Sequence, residues 1–159
     1  MAGYPEGHPE APDLATDIQY LKAKVDAGAS FIITQMFYDV DRFLDWVAEC
    51  RKVGIDVPII PGIMPITNWA TLLRRTRFMQ TRIPPHWLET LEPIKDDDAA
   101  VRDVGTKLVA ELCRKILENG ILQLHFYTMN LEKATFMILD ELEITMENNL
   151  KNPLPWRQV

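Results

Sequence analysis

The side chains best equipped for chemistry in this 159-residue sequence gather in a few short stretches. Gln35 stands inside the apolar run IITQMF. Its amide offers a donor and an acceptor side by side, which complements the amide edge of a heterocycle such as a pterin. The same amide also suits a buried glutamine bonded to neighbouring backbone. Asp17 and Lys24 lie seven positions apart, on one side of a helix, and flank its apolar stripe. A carboxylate there can accept from sugar hydroxyls and an ammonium suits a phosphate, although charges beside a stripe are often only solvated. The opening stretch MAGYPEGHPEA sets Tyr4, His8 and Glu10 among prolines and glycines. That is the composition of a functional loop leaving a strand end, with His8 exposed for stacking or hydrogen bonding or simply an ordinary loop histidine. His125 and Tyr127 stand in LHFYT, where His125 reads as a satisfied histidine near a strand end rather than a metal ligand.

Other chemistries lack their signatures. The three histidines and two cysteines show no metal-ligand spacing, so no metal site is assigned. No nucleophile elbow GxSxG and no Walker motif occurs. A net charge of -6 argues against a nucleic-acid surface, while leaving room for one cationic pocket for a phosphorylated ligand. No apolar run approaches the roughly 18 residues of a membrane span, and no charged-then-apolar leader opens the chain. Cys50 and Cys113 fall in segments of helical periodicity, so buried thiols in a reduced, cytoplasmic setting are expected over a disulfide.

The elements that must position these groups follow from periodicity. Leu14, Ile18, Leu21 and Val25 stripe a helix that Asp13 can cap and Gly28 can end. FIITQMF is then a short strand buried on both faces. Val40, Phe43, Leu44 and Val47 stripe the next helix, closed by Gly54; VPIIPGIMP is a second buried strand, whose prolines fit its ends better than its middle. Thr67 is expected to cap a third helix running to about Phe78. A short helix starts at Pro85, and a long one follows, with Asp97 and Asp98 at its start. ILQLHFYTMN reads as the third strand and EKATFMILDEL as the last helix, leaving residues 151–159 as a linker after a domain of residues 1–150.

Helices alternating with buried strands imply parallel strands joined by right-handed crossovers, as in a doubly wound sheet or a (β/α) barrel. No GxGxxG fingerprint follows a strand, which favours the barrel. Three strands cannot close a ring of eight. The opening loop also lacks a strand to leave. The chain therefore reads as the C-terminal half of a larger barrel, with a small three-stranded α/β domain as the alternative. In either case ligands should meet the C-terminal strand ends: Thr34 and Gln35, Gly62 to Pro65, His125, Tyr127, Thr128 and Asn130.

AGYPEGHPEA, KVDAGASFIITQMFYD, IIPGIMPI, EPIKDDDAAVR and LHFYTMN, in that order, resemble methylenetetrahydrofolate reductase across nearly the whole chain. NPLPW resembles the boundary after the catalytic domain of eukaryotic members, beyond which a regulatory domain follows. The resemblance implies a (β/α)8 TIM barrel carrying FAD, of which this chain is a partial, C-terminal half with about three strands. It implies reduction of 5,10-methylenetetrahydrofolate to 5-methyltetrahydrofolate by NAD(P)H through FAD, in one-carbon metabolism and methionine biosynthesis, by a homo-oligomeric parent enzyme. It assigns flavin contacts to Tyr4 and to the run His8, Pro9, Glu10 and Ala11, and the cofactor's ribose and phosphate portions to Asp17 and Lys24. Gln35 would bind the pterin and Tyr127 the folate substrate. Two departures matter. Where many members carry an arginine after the last strand, this chain has Leu131, which cannot pair with a carboxylate. The family's general-acid glutamate lies in the earlier half of the barrel, so no catalytic residue is assigned here and the chain alone is expected to be inactive.

Overall fold

The computed structural model describes residues 1–144; the end of the expected domain and the expected linker at 151–159 lie outside the described residues. Strand β1 (Ala2–Gly3) leads through a loop to helix α1 (Leu14–Asp26), followed by β2 (Ile32–Met36), α2 (Val40–Lys52), β3 (Ile59–Ile63) and α3 (Trp69–Met79). Helix α4 (Pro85–Leu91), a 3₁₀ turn at Glu92–Ile94, α5 (Asp98–Glu118), β4 (His125–Phe126) and α6 (Lys133–Glu141) complete the order. The strands form one parallel sheet in sequential order, β1-β2-β3-β4.

The sheet has four strands rather than three. The opening loop does leave a strand: Ala2 and Gly3 pair with Ile33 and Thr34 of β2, and the Met1 carbonyl accepts the Ile33 N–H at 2.8 Å. Two residues carry no periodicity, so nothing in the sequence marks β1. Gly3 is needed for close approach, since a Cβ there would lie 2.8 Å from both Ile32 Cγ2 and Trp46 Cη2. The last strand is likewise shorter than expected, only His125 and Phe126.

Pro61 sits in the middle of β3, not at an end. Having no N–H, it removes one ladder bond. That missing donor faces β4, since the Gly62 N–H next to it points to Thr34 of β2 and the Ile63 carbonyl to Tyr127. On the β2 side Ile33 pairs with Ile60 and Met36 with Gly62, so β2 spends one residue more than β3 over that span, a β-bulge. The Thr34 hydroxyl accepts the Gly62 N–H at 2.9 Å within this irregularity.

Burial alternates along β2. Ile32, Thr34 and Met36 are buried toward the helices, while Ile33 and Gln35, on the opposite face, are half-buried. The core fills the space between sheet and helices. Phe37 stacks on Phe43 at 4.4 Å, Trp46 and Cys50 are fully buried, and Val101, Val109, Leu112, Cys113 and Ile116 line the inner face of α5. Both cysteines are free.

Helix starts follow the sequence closely. Asp13, Asp39 and Asp97 each cap a helix by accepting a backbone N–H, that of Thr16 at 2.7 Å, of Arg42 at 3.0 Å, and of Ala99 and Ala100 at 3.0 Å. Pro85 occupies the first turn of α4, as expected. The third helix differs by one residue: Asn68, not Thr67, is the cap, its Oδ1 accepting the Thr71 N–H at 2.8 Å. Both residue types can cap, and asparagine is the stronger choice.

Candidate functional site

Every ligand-type side chain singled out from the sequence sits at or beyond the carboxyl end of a strand, or on α1 beside β1. The loop after β1 folds on itself. Gly7, at φ 90°, turns it so that its N–H reaches the Tyr4 carbonyl at 2.9 Å, and the Ala11 N–H reaches the His8 carbonyl at 3.0 Å. His8 is half-buried rather than exposed. Its ring meets Tyr4 edge-on at 4.5 Å, and its Nδ1 accepts the Glu10 N–H at 3.1 Å, which leaves the ring proton to Nε2. The loop is tied to α1 because Asp17 Oδ2 accepts the His8 N–H at 3.3 Å. It is tied to the α3–α4 connection because the Glu6 carboxylate accepts the Arg82 N–H at 2.9 and 3.2 Å.

Between this loop and α1 lies a groove of about 530 Å³ at the free edge of β1. Tyr4, His8, Glu10, Ala11, Asp17 and Lys24 all line it. Pro9, expected with them, faces a separate hollow beside Glu6, Asp13 and Gln80. Tyr20, Leu21 and Ala23 also line the groove and were missed. A signal existed: Tyr20 is three residues after Asp17 and four before Lys24, the spacing of one helix face. Burial pushes the Asp17 carboxyl above its ordinary value, opposed by the His8 N–H and by the nearby His8 and Lys24. Among the described residues, Lys24 has no carboxylate within ion-pair distance.

A second cluster occupies the open face of the sheet. Ile33 and Ile60 pair there, and His125 pairs with Gly62. The Tyr127 ring crosses Gly62 and donates its hydroxyl to the Thr34 carbonyl at 2.9 Å, while His125 meets Tyr127 edge-on at 4.8 Å. Burial raises the Tyr127 phenol above its ordinary value, and Tyr4 raises it further. Gln35 is half-buried, and its Oε1 accepts the N–H of the next residue, Met36, at 2.9 Å. Leu131 is 57% exposed, in a turn closed by its N–H on the Thr128 carbonyl at 2.8 Å. Among the described residues no group of three or more His, Cys, Asp and Glu side chains could hold a metal ion. No described helix is long and apolar enough to cross a membrane.

A parallel arc in sequential order, helices on one face and polar groups collected at the carboxyl ends, defines part of a (β/α)8-type barrel. The family model described as methylenetetrahydrofolate reductase matches residues 1–143, and the chain belongs to that family. It is 55% identical to "Methylenetetrahydrofolate reductase 2" of Saccharomyces cerevisiae, a match covering 99% of this chain and 28% of that protein. It is 49% identical to "Methylenetetrahydrofolate reductase (NADH) 1" of Arabidopsis thaliana, again over 99% of this chain and 28% of the relative. The chain thus spans under a third of these relatives' length. The fold is similar to that of a solved structure, an "Uncharacterized protein from Clostridium thermocellum" described as binding two copies of 5-methyl-5,6,7,8-tetrahydrofolic acid. The TM-score is 0.62 at 19% identity, covering 91% of this chain and 53% of that one.

Proposed function

We propose that this chain forms the flavin-binding and folate-binding wall of a methylenetetrahydrofolate reductase, in which FAD passes reducing equivalents from a nicotinamide cofactor to 5,10-methylenetetrahydrofolate. The observation that carries it is the groove at the β1 edge, which unites Tyr4, His8, Glu10, Ala11, Asp17 and Lys24 in one cavity. The groove's chemistry suits FAD. Tyr4 and Tyr20 give aromatic surface, and Asp17 Oδ1 has no hydrogen-bond partner among the described residues and can accept sugar hydroxyls. Lys24 supplies a cation for the phosphates. Bound there, the flavin would supply the redox chemistry; the chain's own residues hold and orient it.

The folate would lie on the open face next to that groove, with Gln35 at the pterin and Tyr127 alongside. Gln35 Nε2 has no protein partner among the described residues and is the donor left for a heterocycle. The groove beside β1 and the open-face cluster both join β2, Gly3 by pairing with Thr34 and Tyr127 by its bond to the Thr34 carbonyl, which supports two ligands lying side by side, as transfer between them requires. Name-level likeness to an NADH-labelled plant relative supports a nicotinamide donor, with NADH and NADPH both compatible. Residues 1–150 would be the C-terminal half of the catalytic barrel and 151–159 a linker. The parent would be a cytoplasmic homo-oligomer serving methionine biosynthesis.

The general acid that must protonate the leaving amine of the bridging methylene is assigned to the part of the barrel outside this chain, so the chain by itself is proposed to be inactive. The test compares flavin absorbance and NAD(P)H-dependent reduction in the intact reductase, wild type against the double substitution Asp17→Ala and Lys24→Ala. Loss of flavin from a folded variant is expected. Full flavin retention would overturn the assignment, and turnover by the isolated chain would overturn its inactivity.

A further inference from the structure

One fully buried polar side chain serves neither the helix caps nor the groove. Thr34 is 0% exposed, in the middle of β2, among isoleucines and methionine. Both of its oxygens are used, the hydroxyl by the backbone of β3 and the carbonyl by Tyr127. Its hydroxyl accepts the Gly62 N–H at 2.9 Å, and its carbonyl accepts the Tyr127 hydroxyl at 2.9 Å. On the other side, Thr34 pairs with Gly3, the residue that precedes Tyr4.

We propose that Thr34 is a positioning residue for folate binding, holding Gln35 and Tyr127 in mutual register through the β-bulge. This rests on the folate roles proposed for those two residues.

The physical reasoning runs through one peptide group. The strands fall out of step between Ile33 and Met36. A bulge residue is re-aimed relative to a regular strand, and its direction needs fixing by bonds outside the ladder. The Thr34 hydroxyl supplies one by taking the Gly62 N–H, which fixes β3 against the bulge. The Thr34 carbonyl belongs to the same planar peptide as the Gln35 N–H. When Tyr127 donates to that carbonyl, the orientation of the peptide, and with it the root of the Gln35 side chain, is set by Tyr127. The Tyr127 ring can reach it only across Gly62, where a Cβ would lie 2.6 Å from the ring and 2.2 Å from the Thr34 carbonyl oxygen. Valine has the shape of threonine but no acceptor; serine keeps the acceptor.

The test uses the intact reductase carrying this segment, with 5-methyltetrahydrofolate as the probe and flavin absorbance and melting temperature measured on the same samples. Thr34→Val should weaken folate binding by about tenfold, the size of effect expected when a buried donor loses its partner. Thr34→Ser should restore binding to within about threefold of wild type. Flavin content should stay unchanged in both. Should Thr34→Val fail to fold, Tyr127→Phe removes only the hydroxyl from the Thr34 carbonyl and should weaken folate binding with the flavin retained. Wild-type affinity in Thr34→Val, or parallel loss of folate and flavin, would overturn the positioning role while leaving the folate site intact. A wild-type enzyme that binds no folate would overturn the site assignment itself, and the positioning role with it.

Discussion

Tyr127 lies flat across Gly62, and the absence of a side chain at position 62 is what lets its hydroxyl reach β2. A Cβ on Gly62 would stand 2.2 Å from the Thr34 carbonyl oxygen, a backbone atom that cannot swing away. Gly62→Ala should therefore destabilise the fold by about 2–4 kcal/mol, the range of severe steric and hydrogen-bond disruption in a core. Urea denaturation would check it; a variant as stable as the parent would mean that the strands can part without cost.

The Asp17 carboxyl makes a pH prediction whose sign is opposite to that of a salt-bridged aspartate. Burial raises it above 3.8, so the folded protein holds its proton more tightly than the unfolded chain. That contribution to stability is present below the unfolded value and is lost as pH rises through the folded one. Glu6, also raised mainly by burial against the pull of the Arg82 N–H, acts in the same direction. Asp17→Asn keeps an acceptor for the His8 N–H and removes the charge. It should leave unliganded stability at neutral pH equal or slightly higher and flatten its dependence as pH rises from the ordinary carboxylate range toward neutral, while lowering flavin retention. Thermal melts across that range, with and without flavin, measure both effects. A steeper pH dependence in the variant would contradict the burial account.

Burial pushes both thiols up, those of Cys50 and Cys113 each to about 12. Neither supplies appreciable thiolate at pH 8. A chromogenic disulfide reagent should label no cysteine in the native protein over an hour and both in denaturant. Prompt labelling of the folded chain would show that the interior opens on that timescale.

The start of α3 discriminates two neighbours. Asn68→Ala should cost about 1 kcal/mol, because its Oδ1 accepts the Thr71 N–H, and Thr67→Ala should cost markedly less. Equal losses in chemical denaturation would return the cap to Thr67.

These cases separate what the chain declares from what it conceals. Asp13 was readable as a cap because a short acceptor stood immediately before an apolar stripe, a local pattern with a local consequence, and Asp97 as negative charge suited to a helix start. Asp17 and Lys24 were readable as neighbours for the same reason: helical spacing alone brings them to one groove. Strand β1 was invisible, since two residues cannot display alternation, and it exists only because β2 offers it a partner. The prolines of VPIIPGIMP pointed to the strand's ends, whereas Pro61 stands in the middle of β3, its missing donor turned toward the short β4. Pro9 was assigned by its place in the HPEA run, whereas the turns around Gly7 and Ala11 rotate it away from its neighbours. Thr34 hid inside an apolar strand, its two bonds both long-range.

The bond from the Arg82 amide to Glu6 spans 76 positions of sequence. A ribosome making this chain therefore releases the Tyr4–Ala11 turn long before the strap that fastens it exists. Asp17 and Lys24 can take up their helical spacing early, and Asp17 can take the His8 N–H as soon as α1 forms, but the second tether, at Glu6, exists only once the stretch beyond α3 has emerged and packed. The mouth is consequently completed late, by a segment that does not line the cavity.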